Sequence, residues 1–126
     1  MPRETRKILL VEDDREQAYL FVSVLGLSGY DVVTELNAEA ALARLAEDGF
    51  DLVLVDWDLP GMMGDALIAE VKTRHPGVKT VLFSNHANIE PVARAVGADA
   101  WMLKIEGIVR LREIIKELVP LATDRA

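Results

Sequence analysis

Cysteine is absent from the 126 residues. That excludes a disulfide framework and a thiolate metal site, and it fits a cytoplasmic location. Histidine is scarce. His75 and His86 are the only two, and they lack metal-ligand spacing, so no zinc site is expected. Long apolar runs are missing as well. No stretch approaches the roughly 18 apolar residues of a membrane span. The start, Met1-Pro2-Arg3-Glu4-Thr5-Arg6-Lys7, is basic but leads into only the short apolar run Ile8 to Val11, too little for the core of a signal peptide. Basic charge is outweighed: 14 Lys and Arg stand against 21 Asp and Glu, for a net charge of −7. A nucleic-acid surface needs clustered Lys and Arg, so direct contact with nucleic acid is not expected.

What the chain does have is enough apolar residue, 51%, to bury one core. Its length suits one domain, residues 1–126, with a core of about 6–120. Ile8-Leu9-Leu10-Val11 is a continuous β-branched and aliphatic run, as in a strand buried on both faces. It stops at Glu12-Asp13-Asp14. Ala18, Phe21, Val22 and Leu25 then recur at helical spacing, and Ser28-Gly29 ends that helix. Tyr30 to Glu35 is a more polar strand, suited to a sheet edge. Asn37 is placed to cap the alanine-rich helix that follows. Leu52 to Val55 form a third strand running directly into Asp56, before Gly61 to Gly64 make a loop and a helix runs up to His75. Val78 to Phe83, Ala98 to Leu103 and the helices from Ile89 to Val96 and Ile108 to Leu118 complete the series. Thr123 to Ala126 read as a frayed tail. Strands alternating with helices over short connections predict an α/β fold: a five-stranded parallel sheet covered on both faces.

The carboxyl ends of these strands carry the chemistry. The first offers Glu12 and Asp13, the third Asp56, the fourth Ser84 and the fifth Lys104. In an open parallel sheet these ends share one edge. Three carboxylates brought together repel one another unless protonated or bound to a cation. Mg²⁺ answers this with carboxylate and water oxygens. A Lys ammonium and a Ser hydroxyl beside it suit a phosphoryl oxygen. The residues therefore point to Mg²⁺-assisted phosphoryl transfer onto or off a carboxylate.

Val11-Glu12-Asp13-Asp14, Asp56 before Leu59-Pro60-Gly61, Phe83-Ser84, and Gly97 through Lys104 together resemble the response-regulator receiver domain of two-component signalling. The resemblance spans about residues 6–120. It implies a flavodoxin-like, doubly wound (βα)5 fold with strand order 2-1-3-4-5. It implies Asp56 as the phosphoacceptor, taking its phosphoryl group from a histidine kinase or histidine phosphotransfer protein. Glu12, Asp13, Asp56 and the backbone carbonyl of Asp58 would hold Mg²⁺. Lys104 and Ser84 would stabilise the phosphoryl group, and Trp101 would take the aromatic switch position. The output would be a contact with a downstream protein through the fourth helix, fifth strand and fifth helix, with homodimerisation as a further option. Such a module is not a turnover enzyme.

Three positions depart from the family pattern. Ile105 replaces the usual proline after the lysine. A cis bond to a non-proline costs about 2.5–4 kcal/mol, so a trans bond with a rebuilt loop at Lys104–Glu106 is expected in preference to a strained cis bond. Either arrangement threatens the placement of Lys104. Asn85 stands where a small residue normally admits the phosphodonor, with His86 beside it. Together they suggest an altered phosphoryl lifetime. Asp58 adds a carboxylate whose effect, attracting cations or repelling anionic donors, the sequence leaves open. Plainer roles are available: a helix cap for Asp14, and to a lesser degree Asp13, a helix-entry cap for Ser84, a solvated charge for Lys104, packing for Trp101, a loop residue for His86. Two other functions are also compatible with the residues. One is a receiver-like interaction domain that is not phosphorylated, motivated by Asn85 and Ile105. The other, more remote, is a phosphohydrolase using Asp56-Trp57-Asp58 as an Asp-x-Asp motif, although that motif normally follows a first strand and comes with a cap domain.

Overall fold

A computed structural model of the protein describes residues 6–121; the expected tail at Thr123 to Ala126 lies outside them. Strands β1 (Lys7–Val11), β2 (Asp31–Glu35), β3 (Leu52–Asp56), β4 (Lys79–Ser84) and β5 (Ala100–Leu103) alternate with helices α1 (Arg15–Leu27), α2 (Ala38–Glu47), α3 (Gly64–Arg74), α4 (Ile89–Ala95) and α5 (Gly107–Leu118). The strands form one parallel sheet in the order β2-β1-β3-β4-β5. This is the doubly wound, flavodoxin-like α/β fold.

Local chemistry sets the element ends. Asp14 caps α1, its carboxylate accepting from the Glu16 and Gln17 amides at 3.0 and 3.2 Å. Asn37 caps α2 through the Ala40 amide at 2.8 Å. β5 is shorter than the apolar run from Ala98 suggests. The Asp99 side chain turns back to β4, where its Oδ2 accepts from the Thr80 amide at 2.8 Å and the Thr80 hydroxyl at 3.1 Å. The loop expected over Gly61 to Gly64 ends one residue early, because Gly64 already opens α3.

Alternation along the strands divides the core in two. Ile8, Leu10, Leu54, Val81, Phe83 and Met102 pack beneath α1 and α5. Leu9, Val11, Val53, Val55 and Leu82 pack beneath α2, α3 and α4. The central strands β1 and β3 are buried along nearly their whole length, whereas β2 has only exposed and half-buried residues, as befits an edge. Among the described residues no helix is long and apolar enough to cross a membrane.

Candidate functional site

The same alternation aims the site. Continuing the parity of Leu10 and Leu54, Glu12 and Asp56 belong to the α1/α5 face, as does Lys104 after Met102. Because the strands are parallel, their carboxyl ends meet at one edge. Asp56 is 3% exposed. Its Oδ1 accepts from the Asp58 amide at 3.1 Å, and its Oδ2 accepts from Lys104 Nζ at 3.2 Å. Lys104 also stands 3.6 Å from Glu12 Oε1 and lies over the Phe83 ring, 5.3 Å from its centroid. One ammonium thus links two buried carboxyls.

Glu12, Asp13 and Asp56 offer oxygens all within 4.8 Å of one another. Glu12 is 1% exposed, and as a carboxylate neither of its oxygens has a hydrogen-bond donor. Burial above all, then the adjoining Asp56, pushes its carboxyl from 4.5 up to about 8; Lys104 and the Asp14 backbone pull the other way and lose. A proton on Glu12 would relieve the repulsion between it and Asp56. A hard cation would relieve it too. Buried oxygens without donors, beside an exposed Asp13, are the donor set such an ion takes.

Ser84 is fully buried at the end of β4, and its Oγ accepts from the His86 amide at 3.0 Å. α4 begins only at Ile89, so Ser84 closes a tight turn and does not cap that helix. Trp101 is half-buried against the α4 side of the sheet, with the Arg94 guanidinium 4.7 Å from its ring centroid. Asn85 is exposed.

The sequence profile described as the response regulator receiver domain matches residues 8–116. The chain belongs to this receiver family. Its relatives include the response regulator protein FleR of Pseudomonas aeruginosa, 36% identical over 78% of this chain and 21% of FleR. Another is the transcriptional regulatory protein CpxR of Klebsiella pneumoniae, 32% identical over 87% of this chain and 49% of CpxR. The chain therefore spans about half or less of these relatives. Among solved structures, the receiver domain from Methanospirillum hungatei superimposes with a TM-score of 0.84 at 31% identity, covering 90% of this chain and 92% of that one. TrrA of Thermotoga maritima, crystallised with Mg²⁺ and BeF, superimposes with a TM-score of 0.83 at 27% identity, covering 90% and 99%.

Among the described residues no peptide bond is cis, so Lys104–Ile105 is trans. The loop is rebuilt as a single 3-10 turn over Lys104–Glu106, held by Glu106, whose Oε2 accepts from the Leu103 amide at 2.7 Å. Ile105 is 89% exposed, and the turn still delivers Lys104 to Asp56. Asp58 and His86, 28 positions apart (86 − 58), meet: His86 Nε2 lies 3.0 Å from Asp58 Oδ2, and the imidazole stands edge-on to Trp57 at 5.4 Å. No spacing rule announces that pair. Gly64 is a further residue the sequence reading passed over. A Cβ built there falls 2.2 Å from the Asp56 carbonyl oxygen and 2.8 Å from Trp57 Cα, so only glycine lets α3 start against the end of β3. The signal for it was a second glycine following Pro60-Gly61, which reads as loop composition alone.

Proposed function

We propose that Asp56 accepts a phosphoryl group from a phosphohistidine of a histidine kinase or phosphotransfer protein, and that the resulting charge switches a protein-binding face. The observation carrying this reading is the pairing of a buried Asp56 with Lys104 at 3.2 Å, beside Glu12 and Asp13, at a sheet edge. A carboxylate oxygen of Asp56 attacks phosphorus, the bond from phosphorus to the imidazole nitrogen breaks, and that nitrogen leaves with the electron pair. The product is an acyl phosphate. Lys104 then has a phosphoryl oxygen to neutralise in place of the carboxylate it now holds. The buried Ser84 hydroxyl becomes a donor to another phosphoryl oxygen if the loop after it shifts.

Glu12, Asp13, Asp56 and the Asp58 backbone carbonyl are the residues to hold Mg²⁺, which supplies charge neutralisation for the phosphoryl oxygens. Residues 1–126 act as one receiver module and not as a turnover enzyme. Trp101, on β5 with the Arg94 guanidinium 4.7 Å from its ring centroid, would pass the shift to the α4–β5–α5 face, where a downstream protein or a second copy of the chain would bind.

Incubation with Mg²⁺ and acetyl phosphate tests the proposal. A phosphate mass adduct is expected on the wild-type chain and none on Asp56→Asn. An adduct that persists in Asp56→Asn, or none on the wild type with any donor, removes Asp56 from this role.

A further inference from the structure

Two loops flank Asp56, one after β3 and one after β4, and one residue joins them. His86 reaches Asp58 Oδ2 through Nε2 at 3.0 Å and Ser84 Oγ through its backbone amide at 3.0 Å. Asp58 in turn donates its amide to Asp56 Oδ1 at 3.1 Å. The Trp57 ring meets the imidazole edge-on, at 5.4 Å and 80°. The bridge therefore runs from the Ser84 turn to the residue that touches Asp56.

The pair is not there for stability. His86 is 56% exposed and Asp58 46%, and exposed pairs of this kind contribute little. Its significance is electrostatic. The site already gathers Glu12, Asp13 and Asp56, with one ammonium beside Glu12 and Asp56. An anionic phosphodonor must approach that cluster, and a fourth, unrestrained carboxylate on Asp58 would oppose it.

We propose that His86 is a positioning residue for phosphoryl transfer: it holds the Asp58 carboxylate by hydrogen bonding, away from the donor's path to Asp56. The proposal rests on Asp56 being the acceptor. A neutral imidazole with its proton on Nε2 suffices as the donor, so the role does not depend on the charge of His86. The question the sequence left open, whether Asp58 helps or hinders, is answered conditionally: it hinders only when His86 releases it.

A double-mutant cycle tests this. Rates of labelling by acetyl phosphate are measured at one pH and saturating Mg²⁺ for wild type, His86→Ala, His86→Gln, Asp58→Asn and the double variant His86→Ala/Asp58→Asn. His86→Ala is expected to label about three- to tenfold more slowly at low salt, with the deficit shrinking as ionic strength rises. Asp58→Asn in the same chain is expected to restore the rate, and His86→Gln, which keeps a donor, to retain most of it. Melting temperatures should stay within about 2 °C of wild type throughout. A His86→Ala rate equal to or above wild type overturns the proposal. So does a double variant no faster than His86→Ala, because a merely disordered loop would not be rescued by removing a charge. Absence of any Asp56-dependent label on the wild type would instead sink the acceptor assignment, and this proposal with it.

Discussion

Raising the pH should destabilise the metal-free protein through a single buried group. The Glu12 carboxyl moves from 4.5 in an unfolded chain to about 8 here. Between those values the folded state keeps a proton that the unfolded chain has lost, so stability is full below about pH 4.5 and declines as the pH climbs to about 8. At about 1.36 kcal/mol per tenfold step, the ceiling on that decline is about 5 kcal/mol. Water drawn into the cleft as charge develops reduces the expectation to about 2–3 kcal/mol. Glu12→Gln carries a permanent neutral group of the same shape. Urea midpoints measured in EDTA should therefore coincide for the two proteins near pH 4 and diverge above it, with the variant the more stable at pH 8. Mg²⁺ favours the carboxylate form and releases the proton as it binds, so it should flatten the wild-type profile and do far less for the variant. Parallel profiles in EDTA across the whole range would refute the reasoning, since they would mean that Glu12 titrates alike in the folded and unfolded chains.

Two further outcomes follow from contacts around the site. Gly64→Ala places a Cβ against backbone that cannot move alone. Overpacking of about 3 kcal/mol, less about 1 kcal/mol regained in helix propensity, should lower the melting temperature by about 8 °C and slow labelling of Asp56, while Gly77→Ala, which meets open space, should do neither; equal melting temperatures for the two variants would contradict this. Asp14→Ala removes an acceptor shared by two amides of the first turn of α1 and should cost about 1 kcal/mol in chemical denaturation while leaving acetyl phosphate labelling intact, which separates Asp14 from its neighbour Asp13.

The local code of this chain was strong enough to order its elements. Continuous apolar runs at Ile8–Val11 and Leu52–Val55, broken at once by Glu12 and Asp56, specify buried parallel strands with charged ends, because a parallel sheet covered on both faces tolerates charge only where a strand stops. The more polar composition of β2 marked it as an edge. Asp14 and Asn37 were legible as caps because capping is a contact between residues two or three apart. That Glu12, Asp13, Asp56, Ser84 and Lys104 stand at one edge was legible for a related reason: one topological rule sends all strand ends to the same edge.

What the sequence by itself determined, then, is which residues stand at that edge. Tertiary structure alone decided how they are held. Local spacing says nothing of a contact between Asp58 and His86, because it forms only when β3 and β4 lie side by side and bring their two loops together. The Ile105 substitution predicted trouble for Lys104. Glu106 and a 3-10 turn absorb it, and the ammonium still reaches Asp56. The need for glycine at position 64 comes from the carbonyl of Asp56, eight residues back, which meets the start of α3 only after the chain has turned. The raised carboxyl of Glu12 is likewise a property of the packed sheet, since desolvation exists only once neighbours have displaced water.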